Sequence, residues 1–178
     1  HATLPTCDVV ELRALFEAEP VLRSPACVGA LTRYLEVASY TPGTKELIEV
    51  VAEGGAQLRA NPPESRAISH ALEYGHADYV PSLTKVWSVP DDLPHAAGLG
   101  DVAGVDKWFD GKAAKLGDPA RHNPFPDHHP EVTERDVLGR ALAWAVRNDE
   151  FAIADRLLEC GADINVRWGT HEPASILH

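Results

Sequence analysis

One pattern recurs along this chain and limits its folds more than any other feature. Two short apolar stretches at helical spacing flank a single turn residue, and the second stretch stops at a Gly. The fullest copy opens with Leu138-Gly139-Arg140-Ala141-Leu142-Ala143-Trp144-Ala145-Val146. It turns at Asn148-Asp149 and continues from Phe151 through Leu157-Leu158-Glu159-Cys160 to Gly161. Apolar residues at that spacing read as amphipathic helices. The Gly stop fits, because Gly takes a left-handed backbone without steric cost. Asp163 and Asn165 then suit the turn toward a following pair.

Other copies stand upstream. Gly43 through Ala56 repeats a second helix and its Gly-Ala ending. Ala67 through Val80 repeats a first helix, a turn and a second-helix start, and Asp92 through Phe109 does so again. A weaker copy, Val9 through Ala18, opens the chain. The turn positions are Gly43, Gly75, Gly100 and Asp149, so the intervals are 32, 25 and 49 residues. The short interval leaves only Trp87 through Asp92 between two pairs, with no room for a hairpin finger. The long one holds an insertion at about 111–134, dense in Pro and Gly and therefore read as a loop.

A helix pair of this size cannot bury its apolar face alone, so successive pairs must stack. In the fifth unit Leu142, Ala145, Val146, Ile153, Leu157 and Leu158 are expected between neighbours. Ala141, Ala143, Ala145 and Ala152 let helices approach, and Ile164 and Ile176 pack under the next turn. Pro25, Pro94 and Pro173 stand near first-helix starts, where the missing N–H costs little.

These residues resemble the ankyrin repeat family. Leu93-Pro94-His95-Ala96-Ala97 is similar to the family's "PLHxAA" opening. Gly75 through Val80 is similar to its central turn, and Leu157 through Asn165 to its "LLExGADVN" ending. Residues 169–178 look like the opening of a further repeat. The resemblance implies an all-α fold: an α-solenoid of stacked helix-turn-helix repeats with irregular spacing and one long loop insertion. It spans 1–178 as a single domain of about five repeats with a sixth begun. It also implies recognition of a partner protein through the concave face and finger loops. Arg140, Trp144, Arg147, Arg167 and Trp168 are the positional candidates at the regular end, with His122 and Phe125 from the insertion. Trp108 takes a core Leu position, and His95 and His178 take a position where the imidazole bonds a neighbouring turn.

Composition excludes several alternatives. The formal charge is −11, which disfavours nucleic acid and anionic membranes as partners. No apolar run approaches the roughly 18 residues of a membrane span. The first residues lack a basic-then-apolar leader, and Cys7, Cys27 and Cys160 form no CxxC pair, so a cytoplasmic setting is expected. Nucleophile-elbow, P-loop and His-Glu-x-x-His motifs are all missing, and no catalytic residue or cofactor is assigned. Gly98 through Gly104 superficially suggests a dinucleotide loop, but it lies between helices and not after a strand. In the insertion, His122, Asp127, His128 and His129 invite a metal. Adjacent His128 and His129 point apart in extended chain, so a polar surface loop without metal is expected. The acidic surplus, from Glu11 to Asp136, is read as solvated surface.

The alternative is an enzyme or small-molecule binder. Its pocket would form where the spacing is irregular, between about residues 74 and 125, lined by Trp108, His95, His70 and His122. A third reading makes the chain part of a longer protein with further repeats or other domains.

Overall fold

The computed structural model describes residues 8–54 and 66–166. It is mostly helical, and its only sheet among the described residues is a two-stranded ribbon. The α-helices in chain order are α1 (Val9–Ala18), α2 (Val28–Ser39), α3 (Lys45–Gly54), α4 (Ala67–Glu73), α5 (Val80–Leu83), α6 (Leu93–Gly98), α7 (Val102–Asp106), α8 (Glu134–Arg147) and α9 (Phe151–Glu159). Short 3-10 turns precede α2 at Pro20–Arg23 and Pro25–Cys27, and another, Ala77–Tyr79, leads into α5.

The turn residues follow the repeat. Gly43, Gly75 and Gly100 have φ of 78°, 78° and 71°, and Asp149 has 63°, the only positive φ of a non-Gly residue among those described. Each lies between two helical segments: α2 and α3, α4 and the 3-10 turn into α5, α6 and α7, α8 and α9. Gly161, the expected helix stop, also has positive φ, 91°. The opening copy differs, because α1 is followed by 3-10 turns and not by a left-handed turn residue. Gly98 ends α6 and Gly104 lies inside α7, so the glycines that imitate a dinucleotide loop belong to a helix pair.

Where the sequence suggests one domain, contacts gather into two compact units: His1–Ala71 with Asp78–Val89, and Leu72–Ala77 with Pro90–His178. In the first, α3 packs against α1, α2 and α5. Phe16, Leu35, Ile48, Val51, Leu83 and Trp87 are buried there. The Tyr79 hydroxyl ties the first turn, accepting from the Gly43 amide at 3.0 Å and donating to the Thr41 carbonyl at 3.3 Å. Thr44 Oγ1 donates to the Ala38 carbonyl at 2.6 Å, closing the end of α2.

In the second unit α8 is the central element, packed on α6 and α9. Thr133 caps it: its hydroxyl receives the Asp136 amide while Asp136 accepts the Thr133 amide at 2.8 Å. Ala141, Ala143 and Ala145 are all buried, as close helix approach demands. Leu142, Ile153 and Leu157 join Ala141 and Ala145 in one core with Leu93, Val105 and Phe109. Ala152 and Leu158 do not; both are exposed, because α9 turns that side outward. Ile164 is exposed likewise, and Ile176 and Pro173 lie outside the described residues. Trp108 is only partly buried, where full burial was expected. The insertion opens with a ribbon, Phe109–Asp110 paired antiparallel with Ala113–Ala114, and contains a 3-10 turn at Pro119–His122. The acidic side chains read as solvated surface are exposed, apart from half-buried Glu49.

Replacing Gly43 with Ala forces a Cβ into a left-handed turn and costs about 1 kcal/mol. Gly75→Ala costs more, about 2 kcal/mol or above, because its Cβ also meets the Arg147 carbonyl oxygen at 3.0 Å whereas Gly43 faces open space. Urea melts of the two variants give the comparison.

Glu53 yields a pH dependence. Hydrogen bonds from Lys85 at 3.0 Å and Arg13 at 3.2 Å hold its carboxyl below the ordinary range. A lowered folded value stabilises above the unfolded value and is lost as pH falls through the folded one. The three side chains are about half exposed, so the contribution is under about 1 kcal/mol. Glu53→Gln is therefore slightly less stable than the parent at neutral pH, and the gap closes in acid and in high salt, as denaturant midpoints will record.

Candidate functional site

Of the sequence-predicted residues, His95 lies on α6, Arg140, Trp144 and Arg147 on α8, and His122 and Phe125 in the insertion, all in the second unit. Asp92 builds the first part. It caps α6 by accepting the His95 amide at 3.0 Å, and both of its carboxylate oxygens lie 2.8 Å from His95 Nδ1. One carboxylate thus starts the helix and orients a fully buried imidazole. The His95 ring meets Trp144 of α8 edge-on, with centroids 5.1 Å apart.

Trp144 is itself fully buried. Its Nε1–H donates to Glu73 Oε2 at 2.7 Å, and Glu73 is 3% exposed. A helical turn further on, Asn148 Nδ2 donates to the carbonyls of Leu72 at 2.9 Å and Trp144 at 2.8 Å. Its Oδ1 accepts the Ala77 amide at 3.0 Å. Arg147 donates to the Glu73 carbonyl. One turn of one helix pair is therefore laced to the turn of another by side-chain bonds to backbone.

The insertion covers this face. His122 Nδ1 accepts the Leu93 amide at 3.1 Å, so that nitrogen carries no proton. Its Nε2–H then donates to the Leu116 carbonyl at 3.0 Å, which fixes the tautomer. The Trp108 ring stands edge-on to His122 at 4.5 Å, with the Lys107 ammonium 4.7 Å from the Trp108 centroid. Asn123 Oδ1 accepts from both Arg140 Nη1 and the Phe125 amide at 3.1 Å. Phe125 lies beneath the Arg140 guanidinium, 5.6 Å away, and against Trp144 at 6.4 Å. Burial pushes the Arg140 guanidinium below its usual range, opposed by the charges of Glu73, Asp136 and Asp92.

These positions correct the sequence-based picture of an open surface. Trp144, Phe125, His122 and Arg140 are all inside, with exposures of 0%, 0%, 2% and 7%. The physical reason is twofold: Trp144 packs on α6, with its ring against His95 and its indole N–H on Glu73, and the insertion lays Phe125 against both Trp144 and Arg140, and Asn123 against Arg140. Arg147 remains exposed. Arg167, Trp168 and His178 lie outside the described residues. The insertion is a polar surface loop only in part: Asp127 and His128 are exposed, while His122 and Phe125 serve as core. Among the described residues no cluster of three His, Cys, Asp or Glu side chains is placed to hold a metal ion.

Of the residues named for a pocket, Trp108 and His122 meet each other, whereas His70 belongs to the first unit, beside Tyr40 at 5.4 Å. Sequence reasoning missed Glu73, Asp92, Asn123 and Asn148. Asp92 had a signal, a helix-capping Asp two residues before Pro94. Asn148 stood at a named turn. Glu73 had none.

Compared with known proteins, the chain matches no family model, no curated protein and no solved structure. Among the described residues no helix is long and apolar enough to cross a membrane.

The Trp144–Glu73 bond is testable. Trp144→Phe leaves a buried carboxylate without its indole donor and costs about 1.5–3 kcal/mol. Removing the carboxylate as well, in Trp144→Phe with Glu73→Leu, recovers part of that loss. A double-mutant cycle on denaturant unfolding measures the coupling, and additive losses would show that the bond contributes nothing.

Proposed function

We propose that the chain is a protein-recognition scaffold built from ankyrin-like helix pairs stacked in file. The observation that carries this reading is the recurrence of one local geometry: helix, left-handed residue, helix, at Gly43, Gly75, Gly100 and Asp149. A short helix pair with a tight turn has its apolar side satisfied only by a neighbour, and this is the logic of repeat scaffolds. Fold alone does not name a function, and the assignment to partner binding comes from the ankyrin resemblance.

The surface offered to a partner is not the one that Trp144 and Phe125 suggested, because both are core. Two other side chains hold matching places. Val102 and Phe151 each stand two residues past a left-handed turn, at the first position of a second helix, and are 60% and 59% exposed. Their turns are neighbours, since the Glu150 carboxylate lies against Gly100. Arg147 is exposed just before the second of these turns. Aromatic side chains and Arg are enriched at protein interfaces.

Affinity capture from the native lysate, with the whole chain as bait, tests the reading. Phe151→Asp and Val102→Asp are tolerated by the fold, since both sites are exposed and an acid suits a helix N-terminus. Each is expected to lower partner recovery on the order of tenfold with an unchanged melting temperature. Recovery of no partner overturns the scaffold reading, and undiminished recovery by both variants overturns this edge as its surface.

A further inference from the structure

The material beneath the insertion is an unusual core. Arg140 is 7% exposed, yet among the described residues its guanidinium bonds only Asn123 Oδ1 and forms no ion pair. An Arg carries five N–H donors and is almost never buried without a carboxylate partner. Nearby Glu73 gives its carboxylate to Trp144, and Asp92 gives its own to His95. Buried charge of this kind is costly in a permanent core. It is ordinary on a surface that meets water or a polar ligand.

The cover is attached by contacts that another segment could supply. Two hydrogen bonds join His122 to backbone at Leu93 and at core Leu116, the Trp108 ring stands on His122, one bond joins Asn123 to Arg140, and Phe125 lies between the Arg140 guanidinium and an edge of Trp144. The cover is also folded on itself. Asn123 Nδ2 donates to the His129 carbonyl at 2.5 Å, and the amides of His128 and His129 both reach the Phe125 carbonyl, at 3.1 and 3.0 Å. It is therefore held to itself as well as to the body it covers.

We propose that residues 117–129 form a displaceable strap occupying a recognition face of α6 and α8. The displacing partner carries a peptide segment with an aromatic side chain in the place of Phe125 and a carboxylate in the place of Asn123. The carboxylate is the discriminating element. The strap is tethered, with an effective concentration on the order of millimolar, so a competitor must bind more strongly than it does. Asn123 offers Arg140 one bond, whereas a carboxylate can accept two in the fork geometry of a guanidinium. The partner half of this proposal rests on the scaffold reading; the opening of the strap does not.

Hydrogen exchange on the unmodified chain tests the opening. The strap amides are expected to exchange at least about tenfold faster than the core of α8, through a local opening that leaves α8 protected. Exchange of strap and α8 together, at the rate of global unfolding, overturns the strap. Binding is tested on Phe125→Ser, with circular dichroism confirming that the helices persist. Two synthetic peptides of the 117–129 sequence are titrated, one with Asp and one with Asn at the position of Asn123. The Asp peptide is expected to bind the variant at least about tenfold more tightly than the Asn peptide does, and Arg140→Met should erase that preference. Equal binding of the two peptides, or no binding by an opened and folded variant, overturns the recognition face. Should Phe125→Ser fail to fold, the same peptides are titrated at millimolar concentration into the unmodified chain with indole fluorescence as readout, and absence of an Asp preference there overturns the recognition face equally. Faster strap exchange without partner recovery in the capture experiment separates failure of the scaffold reading from failure of the strap.

Discussion

A single left-handed residue between two short helices is the constraint on which this structure depends. With one residue at positive φ the chain reverses within two or three positions, so the helices on either side are held as neighbours. None of the helices joined at Gly75 or Gly100 exceeds seven residues. Helices that short are marginal in water, since nucleation costs more than so few hydrogen bonds return. They persist because each contributes a face to a core assembled from several helices. In the second unit that core joins Leu93 and Ala97 of α6 to Ala141, Leu142 and Ala145 of α8 and to Ile153 and Leu157 of α9. The alanines matter as much as the leucines, for they let α6 and α8 approach.

Polar seams then set how the pieces are registered. Apolar packing is tolerant of sliding, whereas a bond from a buried indole to a buried carboxylate is not. Trp144 reaching Glu73, Asn148 reaching both Leu72 and Ala77, and Asp92 serving α6 and His95 together each specify one arrangement. Buried polar networks of this kind add little net stability when complete and cost much when broken. Their effect is to select one packing among several that a helix-rich, alanine-rich core would otherwise allow.

The repeat was legible because its markers are local. A Gly at a turn, an Asp that caps, and apolar residues at helical spacing depend on neighbours within about seven positions, and the left-handed residues fell where the pattern placed them. Asp149 was legible for the same reason, as Asp and Asn are the non-Gly residues that tolerate that conformation. What lay beyond the sequence was the cover over α8. Trp144 read correctly as an aromatic on a first helix, yet whether such a side chain is bare or buried depends on Glu73, His95 and Phe125, the last nineteen positions away across irregular chain. Periodicity has no means of pairing them. Proline and glycine density identified the insertion as non-helical and said nothing of where it would lie. Leu158 erred in the opposite direction: its spacing matched the core, but the stripe on α9 is narrower than the pattern implied, and only Ile153, Ala154 and Leu157 of that helix are enclosed.

The insertion therefore changes the meaning of the residues it covers. Without the insertion α8 would present the Arg140 guanidinium and the edge of Trp144 that Phe125 covers; beneath residues 117–129 the same side chains are core, with an under-bonded guanidinium. Stability alone favours replacing that Arg by an apolar residue of similar volume, since a buried charge with one hydrogen bond is a poor substitute for packing. Its presence, with Asn123 as its only hydrogen-bonding partner among the described residues, makes sense if the face is sometimes bare. On this view the tautomer fixed at His122 has a second consequence. The cover is pinned through backbone amide and carbonyl groups that water satisfies equally well once it lifts, so opening leaves neither Leu93 nor Leu116 unbonded and the cost of release falls on the ring contacts, those of Phe125 with Trp144 and Arg140 and of His122 with Trp108.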